Sequence, residues 1–241
     1  MTTFEERQLL RQSVAALVSK HATSEANRRA MDSVTGYDEA LWSMLCEQVG
    51  VAALVVPEEI GGAGGELADA AAVLEELGRA LVPTPLLGTT LAELALLAAD
   101  EPDGETIERL AAGTAIGAVV FDRDYVINGD VADVVLAVDD ARIVRWAEVS
   151  IAAAHTLDPT RRLARVTPGA CTTIGNDPGI ADTASILLAA EQVGAAARCL
   201  ELTVEYTKQR VQFGRPIGSF QALKHRMADM YVAVQSARAV V

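Results

Sequence analysis

Positive charge is in short supply in this chain. Twenty Lys and Arg stand against thirty-three Asp and Glu, a formal charge of −13 over 241 residues. That balance argues against nucleic acid or an anionic membrane as the main partner, because phosphate backbones attract basic surfaces. Any site for an anion must therefore be local. Cysteines number three, Cys46, Cys171 and Cys199. Their wide spacing suits reduced intracellular thiols, expected as packing residues, better than a disulfide framework or a zinc site. His21, His155 and His225 have no companions at metal-ligand spacing, so no metal is expected. No apolar run reaches the roughly 18 residues that span a bilayer. Residues 1–10 carry Glu5 and Glu6 where a secretory signal would want positive charge, so a cytoplasmic protein with no membrane association is expected.

Hydrophobic residues make up 51% of the chain, enough for a sizeable core in one or two domains. Thr3 and Glu6 have capping-box spacing. Leu9, Leu10, Val14, Leu17 and Val18 then recur at helical intervals, predicting an amphipathic helix that ends near His21. Tyr37 to Val49 repeats the pattern and stops at Gly50. A buried-looking run, Val51 to Val56, leads into Pro57-Glu58-Glu59 and the loop Gly61-Gly62-Ala63-Gly64-Gly65. That loop lacks the lysine and hydroxyl residue of a P-loop, and its acidic flank would repel phosphate. Helices are expected over 66–81 and roughly 86–99. From Thr114 to Thr173 the pattern changes to short β runs at 116–121, 125–127, 131–138, 143–146 and 163–166, with Asn128-Gly129 as a hairpin signal. Ile180 to Arg210 is the longest periodic segment, and Gly194 and Ala195 in it allow close helix approach. A further helix runs from Ser219.

Between those last two helices lies the most informative stretch, Tyr206 to Met230. Lys208, Arg210 and Arg215 gather positive charge there, and Gly214, Pro216 and Gly218 shape a tight turn. Arg210 falls near a helix C-terminus, where a cation is favoured. Ser219 is placed to cap the next helix, and Phe213 and Ile217 are apolar anchors on the turn. The residues alone leave two readings open. A guanidinium beside an aromatic ring can hold a pyrophosphate, or the segment is a helical hairpin with solvated charges whose Phe213 plugs a core.

The order and spacing in RVQFGRPIGSFQALKHRMADM resemble the signature of the acyl-CoA dehydrogenase family. Residues 54–62, reading LVVPEEIGG, resemble the family's I-P-E-E-Y-G-G turn, and residues 125–129 its Y-x-I-N-G. The resemblance implies an α+β, mainly α fold: an N-terminal helical domain over 1–113, a reduced middle β-barrel over 114–178, and the first helices of a C-terminal helical bundle over 179–241. In the family, the Arg and Phe of R-x-x-F-G reach across a subunit interface to the FAD pyrophosphate and adenosine of a neighbour. The cofactor implied is FAD and the binding residues are Arg210 and Phe213. Gln212, Ile217, Phe220 and Gln221 fall on positions that border the same cofactor.

Other family features are missing. The W-I-T-N-like strand reads Asp133-Val134-Val135-Leu136-Ala137, and no T-E-x-x-x-G-S-D loop is found near Val119 to Asp122. Abstraction of an α-proton needs a carboxylate facing the flavin. Counting back from Arg210, the family's early base position falls at about Ala184, and its late position lies beyond Val241. Asp182 is one methylene shorter than glutamate and on another helical face, so no catalytic residue is assigned. Arg161 and Arg162 are expected as solvated loop residues, with coenzyme A phosphate contact as the other reading.

The chain thus resembles the degenerate, non-catalytic subunits of heteromeric actinobacterial steroid side-chain acyl-CoA dehydrogenases. The partners implied are a full-length acyl-CoA dehydrogenase subunit or a second copy, an acyl-CoA substrate, and an electron-transfer flavoprotein. The alternatives are a non-flavin dimerisation subunit, or a flavin monooxygenase or dehydrogenase active as a homo-oligomer.

Overall fold

The structure is a computed structural model describing residues 2–241. Helix α1, Phe4–His21, opens on the expected capping box: Thr3 Oγ1 accepts from the Glu6 amide, and the Glu6 carboxylate accepts from the Thr3 amide. Helix α2, Ser24–Met31, is capped by Thr23. Helix α3, Glu39–Met44, starts later than the periodicity suggests, because Asp38 accepts from the Leu41 amide and so sets the cap. Its last turn widens into a π-helical turn, Leu45–Val49, closed by Gly50 at φ 74°. The 51–56 run is a series of turns burying Val51, Ala52, Leu54 and Val56.

Helices α4, Leu67–Arg79, α5, Leu86–Leu97, and α6, Gly104–Ala111, complete the N-terminal part. Helix α4 is central, with nine buried residues including Leu74 and Leu77. It lies against α1 and against the 30-residue helix α7, Ile180–Gln209. The α4–α7 contact is made backbone to backbone. A methyl group added at Gly194 would sit 1.9 Å from the Glu75 carbonyl oxygen, and one at Gly78 would sit 2.1 Å from that of Glu191.

Between α6 and α7 the chain forms two sheets. Strands β1 (Gly117–Val120), β2 (Val126–Ile127), β3 (Val134–Asp139), β4 (Arg142–Ala147), β5 (Ser150–Ala154), β6 (Leu163–Thr167) and β7 (Ala170–Asn176) follow in chain order. The first sheet runs β1-β3-β4-β7, with β1 and β3 parallel; the second runs β2-β6-β5. A small core containing Val120, Val135, Trp146 and Val166 packs together across this region. The chain is therefore mainly helical with a compact β insert, the fold class expected.

Two local expectations need correction. Asn128 does adopt a left-handed conformation, φ 54°, but Asn128-Gly129 closes no hairpin. β2 pairs with β6, β3 lies in the other sheet, and the Asn128 amide donates to the Arg162 carbonyl at 2.9 Å. Arg161 and Arg162 are half-buried and held in ion pairs rather than standing as free solvated side chains or as contacts open to coenzyme A. Arg161 pairs with Glu191 on α7 at 3.0 Å, and Arg162 pairs with Asp130, its side chain filling the space over Gly36. Arg161 ties the loop after β5 to α7, and Arg162 ties it to the β2–β3 connection.

Candidate functional site

Helix α7 ends at Gln209, and Arg210 is its C-cap, its amide still donating to Tyr206 O at 2.9 Å. A two-stranded hairpin follows, β8 (Val211–Gln212) against β9 (Arg215–Pro216), then a 3₁₀ turn, Ile217–Ser219, and helix α8, Gln221–Arg238. The loop of this hairpin has two residues, Phe213 at φ 53° and Gly214 at φ 73°. Left-handed conformation at both positions is the primed turn whose twist matches a hairpin, and the pair it favours is Asn-Gly. Phenylalanine there is strained. A bulky residue in the left-handed region costs about 1–2 kcal/mol.

That strained side chain is also 91% exposed, so Phe213 is no core plug. Its ring meets Phe220 edge-on, centroids 6.1 Å apart, and Phe220 in turn lies under the Arg215 guanidinium at 4.1 Å. Gly218 lets the turn close on α7, since a methyl group there would stand 3.0 Å from the Thr207 carbonyl oxygen. All six residues singled out from the sequence lie between the end of α7 and the first residue of α8. Arg210, Gln212, Phe213 and Gln221 are exposed, while Ile217 and Phe220 are half-buried. Ser219 does not cap α8. The 3₁₀ turn puts Phe220 in the extended cap position, φ −78° and ψ 129°, and the Ser219 hydroxyl is left buried without a partner.

A second feature lies at the other end of α7. An apolar cavity of about 370 Å³ opens between α5, the β1–β2 segment and the first turns of α7, lined by Leu91, Val119, Phe121, Tyr125, Ala184 and Leu188 among others. Ala184, where a base would be sought, presents a methyl group to this space. Asp182 is exposed and does not line it. The one carboxylate on its lining, Asp122, accepts from the Asp124 amide in a turn. Phe121 and Tyr125, which line it and are 48% and 64% exposed, were not anticipated as site residues, although Tyr125 opens the Y-x-I-N-G match.

The glycine-rich turn before α4 uses its amides internally. Those of Gly62, Ala63, Gly64 and Gly65 donate to the carbonyls of Pro57, Ala53, Val56 and Leu54, so the loop has none of these to offer a phosphate. Burial pushes the Cys46 thiol up to about 12, which leaves it inert at neutral pH. Cys171 and Cys199 are exposed rather than packed, and all three thiols are free. Among the described residues there is no metal-ligating cluster and no helix long and apolar enough to cross a membrane.

Residues 4–114 match the acyl-CoA dehydrogenase N-terminal domain and residues 183–241 the acyl-CoA dehydrogenase C-terminal domain. With helices on either side of a β insert and the R-x-x-F-G turn between the last two helices, the chain belongs to the acyl-CoA dehydrogenase family. Over its whole length it is 67% identical to acyl-CoA dehydrogenase IpdE2 of Mycobacterium tuberculosis (strain ATCC 25618 / H37Rv), 76% of which it covers. Its structural neighbours include two two-component assemblies. The Tcur3481-Tcur3483 steroid ACAD superimposes with a TM-score of 0.84 at 27% identity, over 98% of this chain and 75% of that one. The ChsE4-ChsE5 complex from Mycobacterium tuberculosis gives 0.81 at 27% identity, over 97% and 75%.

Proposed function

We propose that this chain is a subunit of an FAD-dependent acyl-CoA dehydrogenase and completes the flavin site of a full-length partner subunit. In this reading Arg210 contacts the FAD pyrophosphate and Phe213 the adenosine, with Gln212, Ile217, Phe220 and Gln221 bordering the same cofactor. The observation that carries it is the turn itself: a strained aromatic ring held in solvent beside an arginine that forms no ion pair among the described residues. Backbone strain clusters at ligand clamps and active sites, and here it coincides with a ring left in solvent. The exposed guanidinium and ring suit the anionic and aromatic parts of an adenine dinucleotide.

When bound, the flavin supplies hydride acceptance from the β-carbon of an acyl thioester. The matching α-proton needs a carboxylate; Ala184 offers none at the early position, and in this reading the partner subunit supplies the base. This chain's contribution is to bind and orient. The division into residues 1–113, 114–178 and 179–241, the cytoplasmic location and an electron-transfer flavoprotein as acceptor belong to the same proposal.

Copurification with a full-length acyl-CoA dehydrogenase partner, followed by flavin absorbance, tests it. Arg210→Ala should weaken flavin binding by roughly 1.5–3 kcal/mol, the worth of a charge-assisted contact. Unchanged occupancy in an intact complex would overturn the reading and favour a dimerisation subunit without flavin. Phe213→Asn should separate stability from function. Asn is the preferred residue for this turn, so unfolding of the isolated subunit should shift upward by up to about 1 kcal/mol after the lost Phe220 contact is set against the relieved strain. Flavin occupancy of the complex should fall in the same variant. A variant less stable than the parent would show that the ring serves this chain's own fold.

A further inference from the structure

We propose that Arg215 is a second phosphate-binding arginine, and that one face of the β8–β9 hairpin is built for a diphosphate rather than a single anionic group. The inference rests on the flavin-site reading of Arg210. Its own basis is the register. Gln212 pairs with Arg215 and Val211 with Pro216, and the Ile217 amide donates to Arg210 O at 2.8 Å, which extends the pairing by one step. Side chains alternate across a strand, so Arg210, Gln212, Arg215 and Ile217 share one face and Val211 and Pro216 the other. Two guanidiniums therefore flank Gln212 on the same side.

Neither guanidinium is committed elsewhere. The neighbouring cation Lys208 is held by Glu205 at 2.7 Å, whereas among the described residues no carboxylate lies within ion-pairing distance of Arg210 or Arg215. Other arginines, Arg28 and Arg226 among them, are also without an ion pair among the described residues; what sets Arg210 and Arg215 apart is that the hairpin register puts both on one face. Arg215 is also pre-oriented. Stacking at 4.1 Å over Phe220 fixes the plane of its guanidinium, and Phe213 braces Phe220 from the edge. A stacked guanidinium keeps its N–H fork free for in-plane acceptors. A diphosphate presents two anionic phosphoryl groups joined by one oxygen, a match in number for two cations on one face. FAD and coenzyme A both carry this group next to adenosine, and the experiment tells them apart.

Dissociation constants for FAD and for coenzyme A are measured on the intact complex with its full-length partner, for the parent and for Arg210→Gln, Arg215→Gln and Arg215→Lys. Arg215→Gln should weaken FAD binding roughly 10- to 100-fold, with a shallower dependence on salt. Arg215→Lys, which keeps the charge but loses the fork, should recover part of that loss and guards against an effect of misfolding. If coenzyme A binding weakens and FAD binding does not, the diphosphate on this face is the thioester's, and the two-arginine assignment stands with that source. If Arg215→Gln changes neither ligand while Arg210→Gln weakens FAD, the Arg215 assignment is wrong and the flavin-site reading survives. If neither arginine affects either ligand, both fall together.

Discussion

Gly194→Ala should destabilise this protein by about 3 kcal/mol or more, although the same substitution in an ordinary helix interior gains up to about 1 kcal/mol. The reversal of sign comes from the α4–α7 contact. An added methyl carbon would lie 1.9 Å from the Glu75 carbonyl oxygen and 2.9 Å from the Arg79 amide nitrogen. Both obstacles are backbone atoms of α4, so relief requires the helices to separate and loosens the contacts of Ala190, Val193 and Ala197, which are all buried. Gly104→Ala is the matched control, because nothing stands within 4 Å of its added methyl. Urea unfolding of both variants gives the comparison. A Gly194→Ala protein within about 0.5 kcal/mol of the parent would mean that α4 and α7 are less closely packed than described.

Glu93 should make stability fall as pH rises, with a slope of up to about 1.4 kcal/mol per pH unit. The residue sits in the middle of α5, fully buried, and neither carboxylate oxygen has a hydrogen-bond partner. Burial alone pushes its pKa well above the ordinary value of 4.5. Between the unfolded and folded values the folded state holds a proton that the unfolded chain has lost. The contribution of Glu93 is therefore intact below about pH 4.5 and is lost as pH climbs toward the folded value. Glu191, also raised by burial and partly opposed by Arg161, adds a smaller slope of the same sign. Asp103, brought down to about 2 by Thr106 and Arg145, acts in the opposite sense only at lower pH. The parent minus Glu93→Gln difference isolates the one group, and Glu93→Leu should stabilise by about 1–3 kcal/mol at neutral pH by removing the unpaired polar atoms. Parallel pH profiles for parent and Glu93→Gln would refute this account.

Much of this architecture could be read from local signals. The Thr3/Glu6 box fixed the start of α1, Gly50 the stop after α3, and the basic turn the break between α7 and α8. Missed were α2 and α6, eight residues each and too short for their periodicity to stand out, and the strands β5 and β7. Those strands read SIAAA and ACTTIGN and are largely exposed, so they lack the alternating bulky residues that announce a strand. The crossing of β2 to the other sheet is set by long-range pairing with β6, which no dipeptide encodes. At the site, the identity of the turn was legible from its spacing, and Gly194 was recognisable as a point of close approach, though not its partner Gly78. The pairing of Arg210 and Arg215 on one face was hidden, because it depends on which residues occupy a two-residue loop. Glu93 drew no notice inside an apolar stretch, since burial of a lone acid is a property of the tertiary core.

The shortness of the Phe213-Gly214 loop has an evolutionary corollary. The exposed Val211, on the back of the ribbon, can change its chemistry, but the length of the loop is locked. A single inserted or deleted residue would rotate every following side chain by half a revolution and send one guanidinium to the back of the ribbon. The turn is thus a ruler as much as a binding surface, closed to insertion.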